Sequence, residues 1–403
     1  MRVAVTGATG ILGRNLLFEL IQRHRRDLDS LEVLVLGRDE AGRSIGRRAE
    51  EEVVSDGLHY VGGPGADELA AFCRANVRGV PFDLDRDDLG LTPEGVRELS
   101  RAPIDFLIHS AALTDLRASA PVAVAVARTN VAGTRRLLDL VSSLTVGEFC
   151  YVGSAYACGH AEGRILPDQV NGRDGFRNPY EASKLEAEVL TRRLGRARGL
   201  RCRFFRPSII CGRLLEPPRG SICKFDVFYA VAVLLYRLKL QAFGDPGLAL
   251  GMPLRLPLRA CCNPQGGLNV VPVDYAAKAI WQACLSGHAG ESYHVVNGKP
   301  VPHRQLIRLI CDALRVEGLE AVDTIPGDLN RQEALFYRLL WPVFGPYVQA
   351  GPMLFDTASM DDALRGSGLR CPAVDDRTFP ALMAYAAEQS FGLAAPVEVR
   401  KAG

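Results

Sequence analysis

The sequence predicts an α/β fold: a doubly wound parallel sheet followed by a smaller, mostly helical C-terminal part. Three observations carry this. Strand-like and helix-like stretches alternate through the first half of the chain, the pattern of a parallel sheet covered on both faces. The chain opens on a short apolar run, Met1 to Thr6, which a glycine-rich turn joins to a stretch of helical spacing from Ile11 to Leu20. At 403 residues there is room for one large domain and a smaller part covering it. The expected division is 1–210 for the sheet domain, completed by strands returning near 268–296, and 211–403 for the rest.

The opening turn reads Gly7-Ala8-Thr9-Gly10-Ile11-Leu12-Gly13. Between a strand and a helix, such a turn aims backbone N–H groups and the positive helix end at a phosphate. Gly7 permits the tight turn, Gly10 lets a pyrophosphate approach the backbone, and Gly13 lets helix pack on strand. The G-x-x-G-x-x-G spacing is one residue longer in its first gap than the commonest dinucleotide fingerprint, and a Gly-rich turn is often only a turn. Its position at the end of a first strand favours nucleotide binding, with Gly7, Thr9, Gly10, Ile11, Leu12 and Gly13 as candidate contacts.

The other elements follow in order. Glu32 to Leu36 is a second strand ending at Gly37-Arg38, and Asp39 to about Val54 is charged and expected to be helical. After Gly62-Gly63-Pro64-Gly65 comes a helix from Ala66 to Asn76, and Gly79 to Phe82 leads to a strand end at Asp83-Leu84. Ile104 to His109 is the fourth strand, Pro121 to Val141 a long helix, and Phe149 to Gly153 the fifth strand. Pro179 to Arg198 is a helix opened by proline in its first turn, and Cys202 to Arg206 is the sixth strand. Past Pro207 the alternation loosens. Gly244 to Gly267 is rich in proline and glycine and expected to be irregular. Leu268 to Val273 and Tyr293 to Val296 are expected to return to the sheet around a helix from Asp274 to Leu285. Pro302 to Leu314 is another helix, and the tail to Gly403 is expected to be helical.

A formal charge of +2 argues against a dedicated nucleic-acid binder. No apolar run reaches the roughly 18–20 residues of a spanning helix. Met1 leads straight into a strand, so no secretory leader is expected. The 11 cysteines lack C-x-x-C spacing and read as reduced thiols, so no metal site and a cytoplasmic location are expected.

Tyr180-Glu181-Ala182-Ser183-Lys184 stands near the start of a helix, where residues four apart share a face. A phenol and an ammonium pointing into one cleft suit proton transfer to a reduced carbonyl, the cation being expected to lower the Tyr180 pKa. Tyr-x-x-x-Lys also arises by chance on many helices. Ser154, at the end of the preceding strand, raises its weight, since strand end and helix start converge on one crevice of a parallel sheet.

With these residues in place, the chain resembles the extended branch of the short-chain dehydrogenase/reductase superfamily, which has a Rossmann-type fold. The resemblance rests on Thr6 to Gly13, Ser154, Tyr180 and Lys184 and covers at least residues 1–300. Within that branch the chain is most similar to carrier-protein thioester reductases and fatty acyl-CoA reductases. Supporting stretches are Leu36-Gly37-Arg38, Asp83-Leu84, His109-Ser110-Ala111-Ala112, Phe205-Arg206-Pro207-Ser208-Ile209 and Val271 to Tyr275, with a short match at Leu354 to Thr357. The resemblance implies that Ser154 orients a carbonyl, Tyr180 donates a proton, and Lys184 holds the nicotinamide ribose. It also implies that Asp83 and Leu84 flank the adenine, that Ser110, Ala111 and Ala112 line the path to the nicotinamide, and that Pro207, Ser208 and Ile209 lie against its ring. Gly153 departs from the family, which usually has Ser there, and leaves Ser154 the candidate hydroxyl of that turn.

Cofactor choice has a physical basis. An acid at the end of the second strand would bind a ribose 2′-OH, whereas Arg38 there suits a 2′-phosphate. Arg48 matches a second basic position of the thioester reductases, with Arg47 as an alternative; Asp39 and Glu40 dilute the local charge. NADP(H) is therefore the expected cofactor. The reaction implied is reduction of an acyl thioester, on CoA or on an acyl or peptidyl carrier protein, to an aldehyde or on to an alcohol. The alternatives are a ketoreductase or hydroxysteroid-type dehydrogenase, a nucleotide-sugar epimerase or dehydratase, and a cofactor-sensing protein without turnover. A homodimer is compatible with this reading.

Other residues read as structural. His109 lies in an apolar strand run and reads as a packed core residue, and Arg23 to Arg26 suit the negative end of the first helix. Cys150, Cys158 and Cys211 have no evident activator. Phe225 to Leu240, apolar nearly all the way round, reads as an acyl tunnel wall, a dimer contact, a membrane-surface segment or simply a core helix.

Overall fold

The computed structural model describes residues 1–170, 172–288 and 290–393. Seven strands form one parallel sheet: β1 (Arg2–Thr6), β2 (Glu32–Gly37), β3 (Val77–Pro81), β4 (Ile104–His109), β5 (Val146–Val152), β6 (Cys202–Pro207) and β7 (Ser292–Val295). Their spatial order is β7-β6-β5-β4-β1-β2-β3. The chain winds outward from β1 to β3, then returns to lay β4 against the other side of β1 and continues to β7. The reversal between β1 and β4 opens a crevice at the carboxyl ends of these strands, where open α/β sheets bind ligands. All five residues of β1 are buried, as a strand covered on both faces requires. Helix α1 (Ile11–His24) packs on the helix Val273–Leu285, pinned by the Trp281 indole N–H donating to the Leu16 carbonyl at 2.8 Å.

The structure refines three sequence expectations. The stretch after β2 is not helical from Asp39. It bends through Gly42, whose φ is +73°, and helix α2 starts only at Ile45 and runs to Glu52. The Asp39 carboxylate accepts the Ile45 N–H at 2.8 Å and fixes that bend. The long helix expected from Pro121 is two α-segments, Ala120–Val126 and Gly133–Val141, joined by a wide turn at Ala127–Ala132. Of the two segments expected to return to the sheet, only the second does so as β7. Val270–Pro272 instead pairs with Ile209–Cys211 outside it.

The expected irregular stretch contains a strand, Leu254–Cys261, paired in parallel with Val316–Val322 in what was expected to be a helical region. Pro253 and Pro257 conceal its period-two burial in the sequence. Pro257 is tolerated because the register shifts between Glu317 and Leu319, at Gly318 with φ +82°. This pair and the helices Ala230–Phe243, His303–Leu314 and Phe379–Glu388 enclose a second core that includes Leu235, Tyr236, Leu256, Leu309, Leu382 and Phe391. The apolar segment after Phe225 is thus a core helix on the face bearing Ala232, Leu235 and Tyr236. The end of the tail, 394–403, lies outside the described residues. Among the described residues no helix is long and apolar enough to cross a membrane, and no group of three or more side chains could hold a metal ion.

Candidate active site

The glycine turn closes on itself and on β4. Gly10 N–H donates to the Gly7 carbonyl at 2.9 Å, and α1 begins at the next residue, leaving its first N–H groups without intrahelical partners. Gly7 has φ +74°, and a Cβ there would lie 2.8 Å from the Ala111 nitrogen; a Cβ on Gly13 would lie 2.0 Å from the Gly7 oxygen. Side chains are excluded at both positions. The turn is thereby pressed against Ser110 and Ala111 at the end of β4. Arg14 clamps it from outside, with one guanidinium nitrogen 2.7 Å from Glu52 and another donating to the Thr9 carbonyl at 3.2 Å.

The second group of candidates lies around the end of β5. Helix α3 (Pro179–Ala197) has Asn178 as its cap, the side chain accepting the Glu181 N–H at 3.0 Å. One turn in, buried Lys184 donates from Nζ to the Val152 carbonyl at 2.7 Å, two residues before Ser154. Ser154 is buried, and its Oγ accepts the Tyr156 N–H at 3.2 Å, starting the short turn Ala155–Cys158 that packs against α3. Strand end, hydroxyl and helix start therefore share one end of the crevice.

Burial sets the proton affinities here, and it corrects one expectation. The Tyr180 phenol is pushed up to about 12 by burial, with a hydrogen bond from Thr114 pulling the other way and the Glu181 and Asp226 carboxylates adding to the rise. Lys184 does not lower it. That ammonium is itself desolvated, pushed down to about 8, and its proton is directed at the Val152 carbonyl.

A hydrogen-bonded chain joins the two ends of the crevice. Ala111 N–H donates to Thr6 Oγ1 at 3.1 Å, and Thr6 Oγ1 lies 2.8 Å from His109 Nδ1. His109 Nε2 lies 2.9 Å from Thr134 Oγ1, whose hydroxyl donates to the Asn130 carbonyl. With the Thr134 proton committed, His109 donates from Nε2 and accepts at Nδ1. Burial pushes its pKa down to about 3, so it is a neutral packed residue, as the sequence suggests. In the wide helical turn, the Asn130 side chain accepts the Leu113 N–H at 2.8 Å, donates to the Leu113 carbonyl at 3.0 Å, and donates to Ser183 Oγ on α3 at 2.9 Å. Asn130 and Thr114 were not among the expected site residues. An asparagine in a helix interior is a poor helix former, and that was the available signal.

The remaining candidates ring the crevice. Asp83 and Leu84 follow β3, two strands from β1, and Gly133 lets the Gly133–Val141 helix close on Leu84, a Cβ there coming within 2.7 Å. Pro207 ends β6, beyond β5, and Ser208 and Ile209 follow it. Arg48 spans the crevice's outer end, donating to the Arg38 carbonyl at 2.7 Å and to Thr9 Oγ1 at 3.5 Å. Arg47 turns away to pair with Glu51 at 3.1 Å. At Gly153, a Cβ would stand 3.3 Å from both Glu188 Oε2 and the Tyr151 ring, so the buried Glu188–Arg206 pair fills the space a larger residue would take.

Residues 5–280 match the NAD-binding family described as male sterility protein. The chain belongs to that family. Curated relatives include a dTDP-glucose 4,6-dehydratase of Streptomyces antibioticus, 27% identical over 81% of this chain and 80% of its own length. A linear gramicidin synthase polypeptide of Brevibacillus parabrevis is 24% identical over 94% of this chain, which spans only 7% of that protein. A probable fatty acyl-CoA reductase of Arabidopsis thaliana is 27% identical over 48% of this chain and 38% of its own length. Among solved structures, the terminal R domain of the myxalamid PKS-NRPS pathway superposes with TM-score 0.70 at 22% identity, over 98% of this chain and 92% of the other. DesIV of Streptomyces venezuelae, a dTDP-glucose 4,6-dehydratase with NAD and TYD bound, superposes with TM-score 0.63 at 20% identity, over 97% of this chain and 98% of the other. The architecture is that of the extended short-chain dehydrogenase/reductases. The family match and the reductase and dehydratase relatives support an oxidoreductase using a nicotinamide dinucleotide.

The residues present fit such a cofactor. Helix α1 opens at the glycine turn with no side-chain cap on its first N–H groups, and Ser208 Oγ is buried without a hydrogen-bond partner. A buried hydroxyl in that state is costly unless a bound group satisfies it.

Proposed function

We propose that the chain is an NADPH-dependent reductase of acyl thioesters, yielding an aldehyde or, after a second round, an alcohol. The observation that supports the reading is that Lys184, one helical turn after Tyr180, donates to the Val152 carbonyl two residues before Ser154, while Arg48 reaches the glycine turn at Thr9. The glycine turn and first turn of α1 would hold the pyrophosphate, Arg38 and Arg48 the 2′-phosphate, Asp83 and Leu84 the adenine, and Ser110 to Ala112 with Pro207 to Ile209 the nicotinamide. Bound NADPH would supply the hydride.

The chain's own groups then handle the oxygen. Ser154 and Tyr180 donate hydrogen bonds to the thioester carbonyl and stabilise the oxyanion that grows on it. A phenol pushed up to about 12 stays protonated at neutral pH, so Tyr180 arrives as a donor and gives its proton to that oxyanion. Lys184, held at the Val152 carbonyl, would bind the nicotinamide ribose. The hemithioacetal collapses by expelling the thiol, and the same pair of hydroxyls serves the aldehyde if it is reduced again.

Purified protein mixed with NADPH and a panel of acyl-CoA and carrier-bound thioesters tests this. Thioester-dependent loss of nicotinamide absorbance is expected, and its absence across the panel overturns the reading. The coverage by dTDP-glucose dehydratases favours a second reading, a nucleotide-sugar enzyme. That one predicts a tightly held oxidised cofactor in the isolated protein, and Arg38 at the end of β2 weighs against it.

A further inference from the structure

The outer end of the crevice contains an acid that the proposed function leaves unused. Glu40 Oε2 lies 2.8 Å from an Arg48 guanidinium nitrogen, and Oε1 lies 3.9 Å from one on Arg38. The same Arg48 donates to the Arg38 carbonyl at 2.7 Å and reaches Thr9 Oγ1 at 3.5 Å, so the carboxylate occupies the guanidinium that bridges strand end and glycine turn. Glu40 is held there by the backbone. Its N–H donates to the Arg43 carbonyl at 3.0 Å and its carbonyl accepts the Arg43 N–H at 2.9 Å. The two residues between, Ala41 and Gly42, have φ +50° and +73°, a turn with both central residues left-handed. Alanine is an unfavourable residue for that conformation, and such departures persist where the surroundings fix them. Neighbouring acids have other roles. Asp39 accepts the Ile45 N–H, and Glu51 pairs with Arg43 and Arg47.

We propose that Glu40 sets cofactor specificity: its carboxylate competes with the 2′-phosphate of NADP(H) for Arg48 and Arg38 and so narrows the preference over NAD(H). This rests on the nicotinamide-dinucleotide site proposed above. A phosphate dianion reaching these guanidiniums must displace or share with a carboxylate already on them. A ribose 2′-hydroxyl meets no such rival and can donate to it. The chain thus accepts both cofactors more evenly than its two arginines alone would allow.

The test is equilibrium binding of NADPH and of NADH, read by nicotinamide fluorescence, to wild type, Glu40→Gln and Glu40→Ala. Glu51→Gln serves as a control that removes the same charge one helix turn away. Both Glu40 variants are expected to bind NADPH roughly five-fold more tightly, the scale of a part-exposed ion pair. NADH should not tighten in parallel, and the gain should shrink at high salt. If wild type binds both nucleotides but the Glu40 variants leave NADPH unchanged, or tighten NADH or respond like Glu51→Gln to the same degree, the competition is refuted while the cofactor site stands. Wild type binding neither nucleotide would overturn both.

Discussion

The Arg38–Glu40–Arg48 cluster and the Ser154–Tyr180–Lys184 cluster hold similar kinds of group in opposite surroundings. Arg38 and Glu40 are more than half exposed, and Arg48 only part-buried. Water and salt screen them, so their effects are modest. Lys184 and Ser154 are buried, and at this end burial changes the chemistry, lowering the ammonium to about 8 and raising the phenol to about 12. One end of the crevice carries solvent-screened charge, whereas the other alters proton affinity by excluding water.

The expected effects follow that contrast in size. Tyr180→Phe removes the proposed proton donor and should lower kcat by about 10²–10⁴ while sparing NADPH affinity. An unchanged rate would remove the phenol from the reaction. Gly13→Val puts a side chain where even a Cβ would lie 2.0 Å from the Gly7 oxygen, and should abolish nucleotide binding as measured by fluorescence or by loss of ligand-induced thermal stabilisation. Arg48→Ala, at the screened end, should weaken NADPH binding by about ten-fold and NADH much less. Equal losses for the two would show that Arg48 supports the turn rather than the phosphate.

A separate effect concerns stability. Lys184 has its folded-state pKa lowered to about 8 from 10.5, so between these values the unfolded chain binds more protons than the native one. Relative to Lys184→Met, wild-type stability should therefore rise as pH climbs from about 8 towards 10.5, and the burial cost should be fully present below 8. Denaturant unfolding of both proteins across that range checks it. A flat difference would mean that the ammonium is better solvated than its surroundings indicate.

Several parts of this site were legible because they depend on neighbours in sequence. Gly7, Gly10 and Gly13 follow an apolar strand directly, and Tyr180 and Lys184 are one helical turn apart. The period-two strand at Leu254–Cys261 was not legible, since Pro257 is tolerated only through a register shift against Gly318, which is distant in sequence. Thr114 and Asn130 were missed for the same reason, as their partners Tyr180 and Ser183 lie on another helix.

By itself the sequence determined the alternation of strands and helices in the sheet domain and the bare-backbone turn, because these follow from local steric and periodic rules. Only the tertiary structure decided that Lys184 directs its proton to Val152 rather than lowering Tyr180, that Arg48 and not Arg47 reaches the glycine turn, and that Glu40 stands between Arg48 and Arg38. Hydration and charge pairing depend on which distant segments close around a group, and no local pattern encodes that.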